Sequence, residues 1–276
     1  MLRCMKRFFM LPALIVLLSG CGTVARLSPD IEIVAHRGGA LIGNENTLSC
    51  FEKGIDAGAD MIELDVHLSA DGELIVCHDP SIDRTTDRKG KIEKLSLSQI
   101  KEARVKDFRT GEITQEHIPT LPEVFDMLGK RCKVLLEIKR NREDQYPGIE
   151  ARALELINSY GLHEEVIIQS FDDAVIEKIH ELDPGMRVEK LIVCRLPFGL
   201  CFDGKIRRFS FEKYSYASSI NSFGKLTSKR FVRDCQKHGK GVRIWTVNKL
   251  SGIVPGVNSV ITNRPDIFSE AKRKLR

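Results

Sequence analysis

Seven side chains stand where apolar runs of the chain come to an end, and their types belong to reaction chemistry rather than to a solvated surface. His36-Arg37-Gly38-Gly39 closes the first run, Glu63-Leu64-Asp65 the second, His78-Asp79-Pro80 a short third and Glu137-Ile138-Lys139 a fourth. A late run closes on Trp245-Thr246-Val247-Asn248. An inward-facing carboxylate is costly unless it is paired or bound to a metal, and all-oxygen donor sets suit a hard cation rather than zinc. Imidazoles titrate near neutrality and suit proton transfer. Arginine offers an anion a planar fork of donors, and lysine a point charge.

These residues reach one place only if the elements that carry them converge. Apolar runs of strand length occupy 31–35, 61–66, 74–77, 133–138, 166–169, 188–193, 218–220, 242–247 and 259–262. Helix-like stretches at 47–57, 121–128, 149–159, 172–182 and 227–238 fall between most of them. Strand alternating with helix predicts βαβ units and a parallel sheet. Nine strands is one too many for an eight-stranded barrel, and the surplus is local. Asp71-Gly72 is a strong hairpin signal, which makes 74–77 an antiparallel return of 61–66. With those two residues as the turn, Ala70 faces Glu73 and Asp65 faces His78, while Glu63 shares the face by the two-residue period. Eight parallel strands remain, and about 67–117 becomes an insertion after the second. In a parallel barrel all the C-terminal strand ends share one rim, where active sites sit.

The strings AHRGG, ENTLSCFEKGIDAGADMIELDVHLSADGELIVCHDPSIDRTT, IPTLPEVF, LLEIK, SFD, IWTVN and VITNRPD occur in that order from residue 31 to 266. In that order they resemble the glycerophosphodiester phosphodiesterase family. The resemblance implies a (β/α)8 TIM-type barrel with a small insertion after the second strand. It also implies metal-dependent hydrolysis of glycerophosphodiesters to glycerol 3-phosphate and an alcohol. The glycerol 2-hydroxyl would attack first, and water would then open the cyclic phosphate. His36 and His78 would be the acid–base pair, with the two roles unassigned between them. Glu63, Asp65 and Glu137 would hold a divalent metal, Ca²⁺ or Mg²⁺. Arg37 and Lys139 would bind the phosphate, and Trp245 would wall the glycerol. Glu45 and Asn46 are read as ordering the loop into the first helix, with Thr47 as its N-cap. His67 is left outside the catalytic set, and Asp79 either orients its neighbours or ends the strand.

Four places depart from the family pattern. Gly43-Asn44 stands where a proline is usual, and Asn263 where an aspartate is usual. The stretch 248–259 is too short for the expected helix, and 195–216 has no family pattern; its mixed Phe and basic residues read as lining a groove or contacting membrane. They bear on specificity more than on activity. A lysophospholipase D with the same centre, and a non-catalytic surface binding lipoprotein, are the competing readings.

The first twenty residues stand apart from the fold. Arg3, Lys6 and Arg7 form a positive region and an apolar stretch runs from Phe8 to Leu18, too short to span a bilayer. Leu18-Ser19-Gly20-Cys21 resembles a bacterial lipobox, so Cys21 is expected to carry lipid after residues 1–20 are removed. Residues 21–30 then read as a tether and 31–276 as the barrel. This places the chain outside the cytoplasm, held to the membrane of a bacterial envelope, with a small glycerophosphodiester as its partner. The chain has 276 residues, 42% of them hydrophobic, and a net charge of +5. That excess, without a clustered basic patch, argues against nucleic acid. Export permits disulfides, and Cys194 and Cys201 are the one suggestive pair, although free thiols are the favoured state.

Overall fold

The computed structural model describes residues 27–140 and 146–275. Eight parallel strands form its centre: β1 (Glu32–Ala35), β2 (Met61–Leu68), β4 (Lys133–Ile138), β5 (Val166–Ser170), β6 (Val188–Ile192), β10 (Ser219–Phe223), β11 (Arg243–Trp245) and β12 (Ser259–Thr262). Each pairs with the next around the ring, and β1 pairs with both β12 and β2, so the sheet closes. Closure leaves the ring of eight parallel strands without an edge of its own. Helices α1 (Leu48–Asp56), α3 (Leu121–Leu128), α4 (Ile149–Ser159), α5 (Asp173–Leu182), α6 (Lys229–Lys237) and α7 (Pro265–Arg273) pack outside. The fold is a (β/α)8 barrel with an extra strand, β3 (Leu74–Val76), and a short helix, α2 (Leu97–Lys101), inserted after β2.

Strand period sorts the side chains. In β2, Ile62, Leu64 and Val66 face the helices and join Val124, Phe125 and Leu128 of α3 in the main apolar cluster. Their neighbours Met61, Glu63 and Asp65 face the barrel interior, where Met61 meets Val34, Leu135, Ile167 and Ile261. Fully burying each such apolar side chain contributes roughly 1.5–3 kcal/mol. The helices start where their sequences say. Thr47 caps α1 by accepting from the Cys50 N–H at 3.2 Å, and Thr120 forms a capping box with Glu123 on α3.

Several expectations need correction. The hairpin between β2 and β3 pairs His67 with Ile75 and Val66 with Val76, so Asp65 lies opposite Cys77 and not His78. The loop holds three residues rather than two: Ser69 N–H donates to Glu73 O, and Gly72 takes φ +84°. That extra residue is the usual three-residue hairpin with a left-handed glycine, and it shifts the register by one. The region 195–216 contains a further antiparallel ribbon, β7 (Cys194–Leu196), β8 (Leu200–Phe202) and β9 (Ile206–Arg208). Its register puts Cys201 opposite Arg195, and Cys194 opposite Phe202, so the two cysteines lie on opposite faces of the ribbon; both are free thiols. Helix α7 has no counterpart among the expected helices, because its short amphipathic run follows the last strand with only Asn263 and Arg264 between. The 248–259 stretch does lack a full helix and makes one 3₁₀ turn, Leu250–Gly252.

The proposed lipobox at Cys21 lies outside the described residues. Leu27, assigned to the tether, is already buried in the barrel's second apolar cluster. Among the described residues no helix is long and apolar enough to cross a membrane.

Candidate active site

The chain leaves β1 through three successive left-handed residues: Arg37 at φ +53°, Gly38 at +83° and Gly39 at +109°. A Cβ on Gly38 would lie 2.8 Å from the Phe51 ring and 2.9 Å from the Cys50 carbonyl carbon, so only glycine lets α1 approach this turn. The turn keeps His36 and Arg37 at the barrel mouth. Arg37 N–H donates to Glu63 Oε2 at 2.9 Å, and its guanidinium to Glu45 Oε1 at 2.8 Å. The Arg37 Nε, 3.6 Å from Asp65 Oδ2, is buried without a hydrogen bond.

Parallel pairing puts Asp65 of β2 beside Glu137 of β4, and Glu63 lies one inward step below Asp65. The three carboxylates offer oxygens that all lie within 4.8 Å of one another, and all three side chains are buried. Lys139 ion-pairs with Asp65 Oδ1 at 2.8 Å and donates to Glu137 Oε1 at 2.6 Å, and Asn46 Nδ2 donates to Asp65 Oδ2 at 2.9 Å. Burial followed by repulsion from Asp65 and Glu137 pushes Glu63 well above the usual carboxylate range. Burial likewise raises Glu137. Burial also opposes ionisation of Asp65, but Lys139 and Arg37 outweigh it and hold this carboxyl well below its usual value. Three carboxylates thus share Lys139 and an arginine already engaged by Glu45. The cluster is short of positive charge.

The two histidines approach the cluster from separate strands. His36 Nδ1 meets Asn263 Oδ1 at 2.6 Å, so Nδ1 carries the proton and Nε2 is left as acceptor. Burial, reinforced by the Arg37 charge, holds this ring down to about 4. His78 arrives although the hairpin register slipped, because β3 ends at Val76 and the chain turns inward. Its Nδ1 meets Asp79 Oδ1 at 2.8 Å, and Arg84 fixes Asp79 at 2.6 Å while bridging to Glu45 at 2.7 Å. Burial opposes the Asp79 charge, yet Arg84 and His78 bring it down to about 2. His67 is held on both ring nitrogens: its Nδ1 meets the Tyr146 hydroxyl at 2.8 Å and its Nε2 the His78 carbonyl at 3.1 Å, which pins the His78 backbone.

His36, Arg37, Glu63, His78, Glu137, Lys139 and Trp245 all line one cavity of about 100 Å³. Trp245 packs edge-on to Phe171 with ring centres 5.5 Å apart, and its indole N–H is buried without a partner. Beyond this cavity a cleft of about 760 Å³ opens between His78, Lys139, Arg140 and the turn from β8 to β9. Below it a buried polar column descends the barrel. Gln169 Nε2 stands 3.4 Å from Glu63 Oε1; Asn221 joins Gln169 to Glu189 at 2.9 and 2.8 Å, and Arg243 pairs with Glu189 at 2.8 Å and with Glu32.

Among the described residues, the structure therefore brings together every site candidate named above. It also adds residues that the sequence reading had given to the loop or passed over. Glu45 and Asn46 reach into the site as well as ordering the loop, and Asn46 holds φ +57°, a conformation asparagine tolerates. Asn263 supports His36, and Asp79 orients His78. Gln169 had no local signal, because a lone glutamine in a strand reads as surface until its face is known. Asn44 ties the loop to the insertion through Glu116 at 2.8 Å and the Phe108 N–H at 3.0 Å.

Comparisons with known proteins agree with this geometry. Residues 36–267 match the glycerophosphoryl diester phosphodiesterase family. A glycerophosphodiester phosphodiesterase of Caldanaerobacter subterraneus subsp. tengcongensis is 33% identical over 248 residues, 88% of this chain and 98% of the relative. One of Bacillus subtilis is 31% identical over 266 residues, covering 90% and 88%. Among solved structures, the Thermotoga maritima glycerophosphodiester phosphodiesterase superposes with a TM-score of 0.67 at 26% identity, covering 89% of this chain and 98% of the other. An Oleispira antarctica phosphodiesterase, solved with the product sn-glycerol-3-phosphate, shares the fold with a TM-score of 0.75 at 23% identity and coverages of 90% and 98%. By sequence and by fold, this chain belongs to the glycerophosphoryl diester phosphodiesterase family, whose members are phosphoric diester hydrolases.

Proposed function

We propose that the enzyme hydrolyses glycerophosphodiesters to glycerol 3-phosphate and the head-group alcohol, with His36 and His78 as its acid–base pair. The observation that carries this is the single small cavity lined by two imidazoles, two carboxylates and two cations at the barrel mouth, with Asp65 buried between Arg37 and Lys139. Glu63, Asp65 and Glu137 fit a divalent metal. Their donors are all oxygen, their spacing is within 4.8 Å, and the raised Glu63 and Glu137 carboxyls mark charge that the protein alone does not balance. Such a cation, Ca²⁺ or Mg²⁺, would supply Lewis acidity and orient the phosphate.

The protein's own groups do the rest. Arg37 and Lys139 hold phosphoryl oxygens, and the spare Trp245 N–H can donate to the substrate while the indole walls the glycerol. His36, neutral and held by the uncharged Asn263, takes the proton from the glycerol 2-hydroxyl as that oxygen attacks phosphorus. His78, braced by Asp79 and Arg84, gives a proton to the departing alcohol. Water opening the cyclic phosphate reverses the two roles. Phosphorus NMR of glycerophosphocholine digests checks the bond broken. Glycerol 3-phosphate is the expected phosphorus product, and phosphocholine would refute the assignment. The open 760 Å³ cleft with Phe171 and Ile138 on its wall favours a second reading, acceptance of lysophosphatidylcholine, which the same assay reads as lysophosphatidic acid.

Lipid on Cys21 would hold this enzyme at the membrane of a bacterial envelope, outside the cytoplasm. Bacterial lipoproteins carry several acyl chains, enough for stable anchoring. Cys21→Ser is therefore expected to release the chain from the membrane fraction with its hydrolytic rate intact. Continued sedimentation with membranes in high salt would count against it.

A further inference from the structure

The ribbon β7–β9 has one face tied to the barrel and one left bare. Its register sorts the residues: Arg195, Cys201 and Arg207 share one face, and Leu196, Leu200, Phe202, Ile206 and Arg208 share the other. The first face is locked. Cys201 is fully buried, Arg195 pairs with Asp234 at 3.0 Å and lies 5.5 Å from the Phe209 and Phe211 ring centres, and Asp203, just after β8, reaches the buried Lys190 at 3.0 Å. The second face is apolar and open, with Ile206 67% and Phe202 38% exposed.

At the tip, Phe198 is 99% exposed and holds a left-handed backbone, φ +57°. That conformation is unfavourable for a phenylalanine, and a side chain this exposed gains little burial to offset it. Phe198 shares a groove of about 450 Å³ with Leu226, itself 56% exposed. The unpaired charges around this apolar edge are basic, since Asp234, which also lines the groove, is paired with Arg195. Lys205 and Arg208 flank Ile206, Lys225 precedes Leu226, and none of the three has a carboxylate partner among the described residues. The one acidic residue of the ribbon, Asp203, is buried and spent on Lys190 and Arg207.

We propose that this bare face docks on the surface of an anionic phospholipid bilayer, with Phe198, Phe202, Ile206 and Leu226 entering the interface and Lys205, Arg208 and Lys225 meeting lipid phosphates. Aromatic and aliphatic side chains ringed by unpaired cations are what such a surface binds. A second copy of the chain would bring the same positive charges against each other, whereas an anionic bilayer complements them. The turn from β8 to β9 forms one wall of the mouth cleft, so docking sets the catalytic opening beside the lipid surface. The inference rests on the ribbon's surface and stands whether or not the proposed chemistry does.

The test reads the tip itself, so a lipid on Cys21 does not supply the signal. Trp245 is the chain's sole tryptophan, and Phe198→Trp in the full chain carrying Cys21→Ser adds an indole at the tip whose emission is taken as the difference from the parent. On vesicles of phosphatidylcholine and phosphatidylglycerol (3:1) with brominated acyl chains, that emission should shift blue and be quenched at least two-fold. Adding Arg208→Gln and Lys225→Gln should weaken vesicle binding by roughly 25-fold, about five-fold per charge lost near an anionic surface. Hydrolysis of soluble glycerophosphocholine, unchanged in each variant, shows that the barrel is folded. Absence of quenching overturns the proposal. Equal quenching on pure phosphatidylcholine overturns the anionic surface as its partner. A blue shift that grows with protein concentration without vesicles identifies a second copy instead and overturns it as well.

Discussion

Replacing His36 or His78 by alanine should each lower kcat/KM on glycerophosphocholine by roughly two to four orders of magnitude, the usual scale of general acid–base work. The two losses should differ in kind. A p-nitrophenyl leaving group needs little protonation as it departs, so it should recover much of the loss in His78→Ala and none in His36→Ala. The pH profile of kcat/KM should be bell-shaped, with two values that belong to the coupled site rather than to one histidine each. Burial and Arg37 hold the His36 ring down to about 4 from an ordinary 6.5, so the base stays unprotonated through mildly acid pH and the acidic limb should lie well below 6.5. Asn263→Asp places a negative charge against His36 Nδ1, favours the imidazolium and should move that limb upward. Near wild-type rates in both alanine variants would make the histidines structural.

Glu63→Gln, Asp65→Asn and Glu137→Gln should each raise the metal concentration needed for half-maximal activity and lower the maximal rate. The shift should exceed the roughly 10–100-fold that loss of an outer-shell partner costs, because in the proposed site these carboxylates would be the donors themselves. Binding a cation requires ionised carboxylates, and burial together with their mutual repulsion raises Glu63, while burial raises Glu137. Apparent metal affinity should therefore weaken as pH falls through those raised values. Stability carries the same signature. A carboxyl with a raised folded value binds its proton more tightly than in the unfolded chain, so the metal-free enzyme should lose stability from Glu63 as pH rises from the ordinary carboxylate range through that value. Asp65 acts oppositely: its contribution is present above the ordinary carboxylate range and is lost as pH falls toward its depressed folded value. Added Ca²⁺ or Mg²⁺ should restore Tm most at the higher pH. A Tm indifferent to both metal and pH would argue for a purely structural ion cluster.

Much of the site was legible because strand period is a strong signal. Glu63 and Asp65 two apart in one strand, and Glu137 two before Lys139 in another, declare a shared inward face before any coordinates exist. The number of barrel strands followed from one Asp-Gly turn, but its register did not, since a two-residue and a three-residue loop differ only in whether Gly72 closes the turn or follows it. His78 survived the slip because it lies past the end of β3, where pairing no longer dictates its direction. The ribbon β7–β9 was invisible as structure. Its three-residue strands are shorter than any window of alternation, so its mixture of Phe and basic residues suggested a groove or a membrane contact without showing the ribbon that carries it. Glu45, Asn46 and Asn263 were placed in loops, and only the closing of β1 against β2 and β12 brings those loops within hydrogen-bond reach of Arg37, Asp65 and His36.

Release of glycerol 3-phosphate from glycerophosphocholine by the purified enzyme, followed by a coupled assay before and after EDTA, bears most directly on the whole account. Turnover should stop on chelation and return with Ca²⁺ or Mg²⁺ in the parent chain, and should return weakly or not at all in Asp65→Asn. Full activity in EDTA, or no glycerol 3-phosphate under any metal, would contradict it.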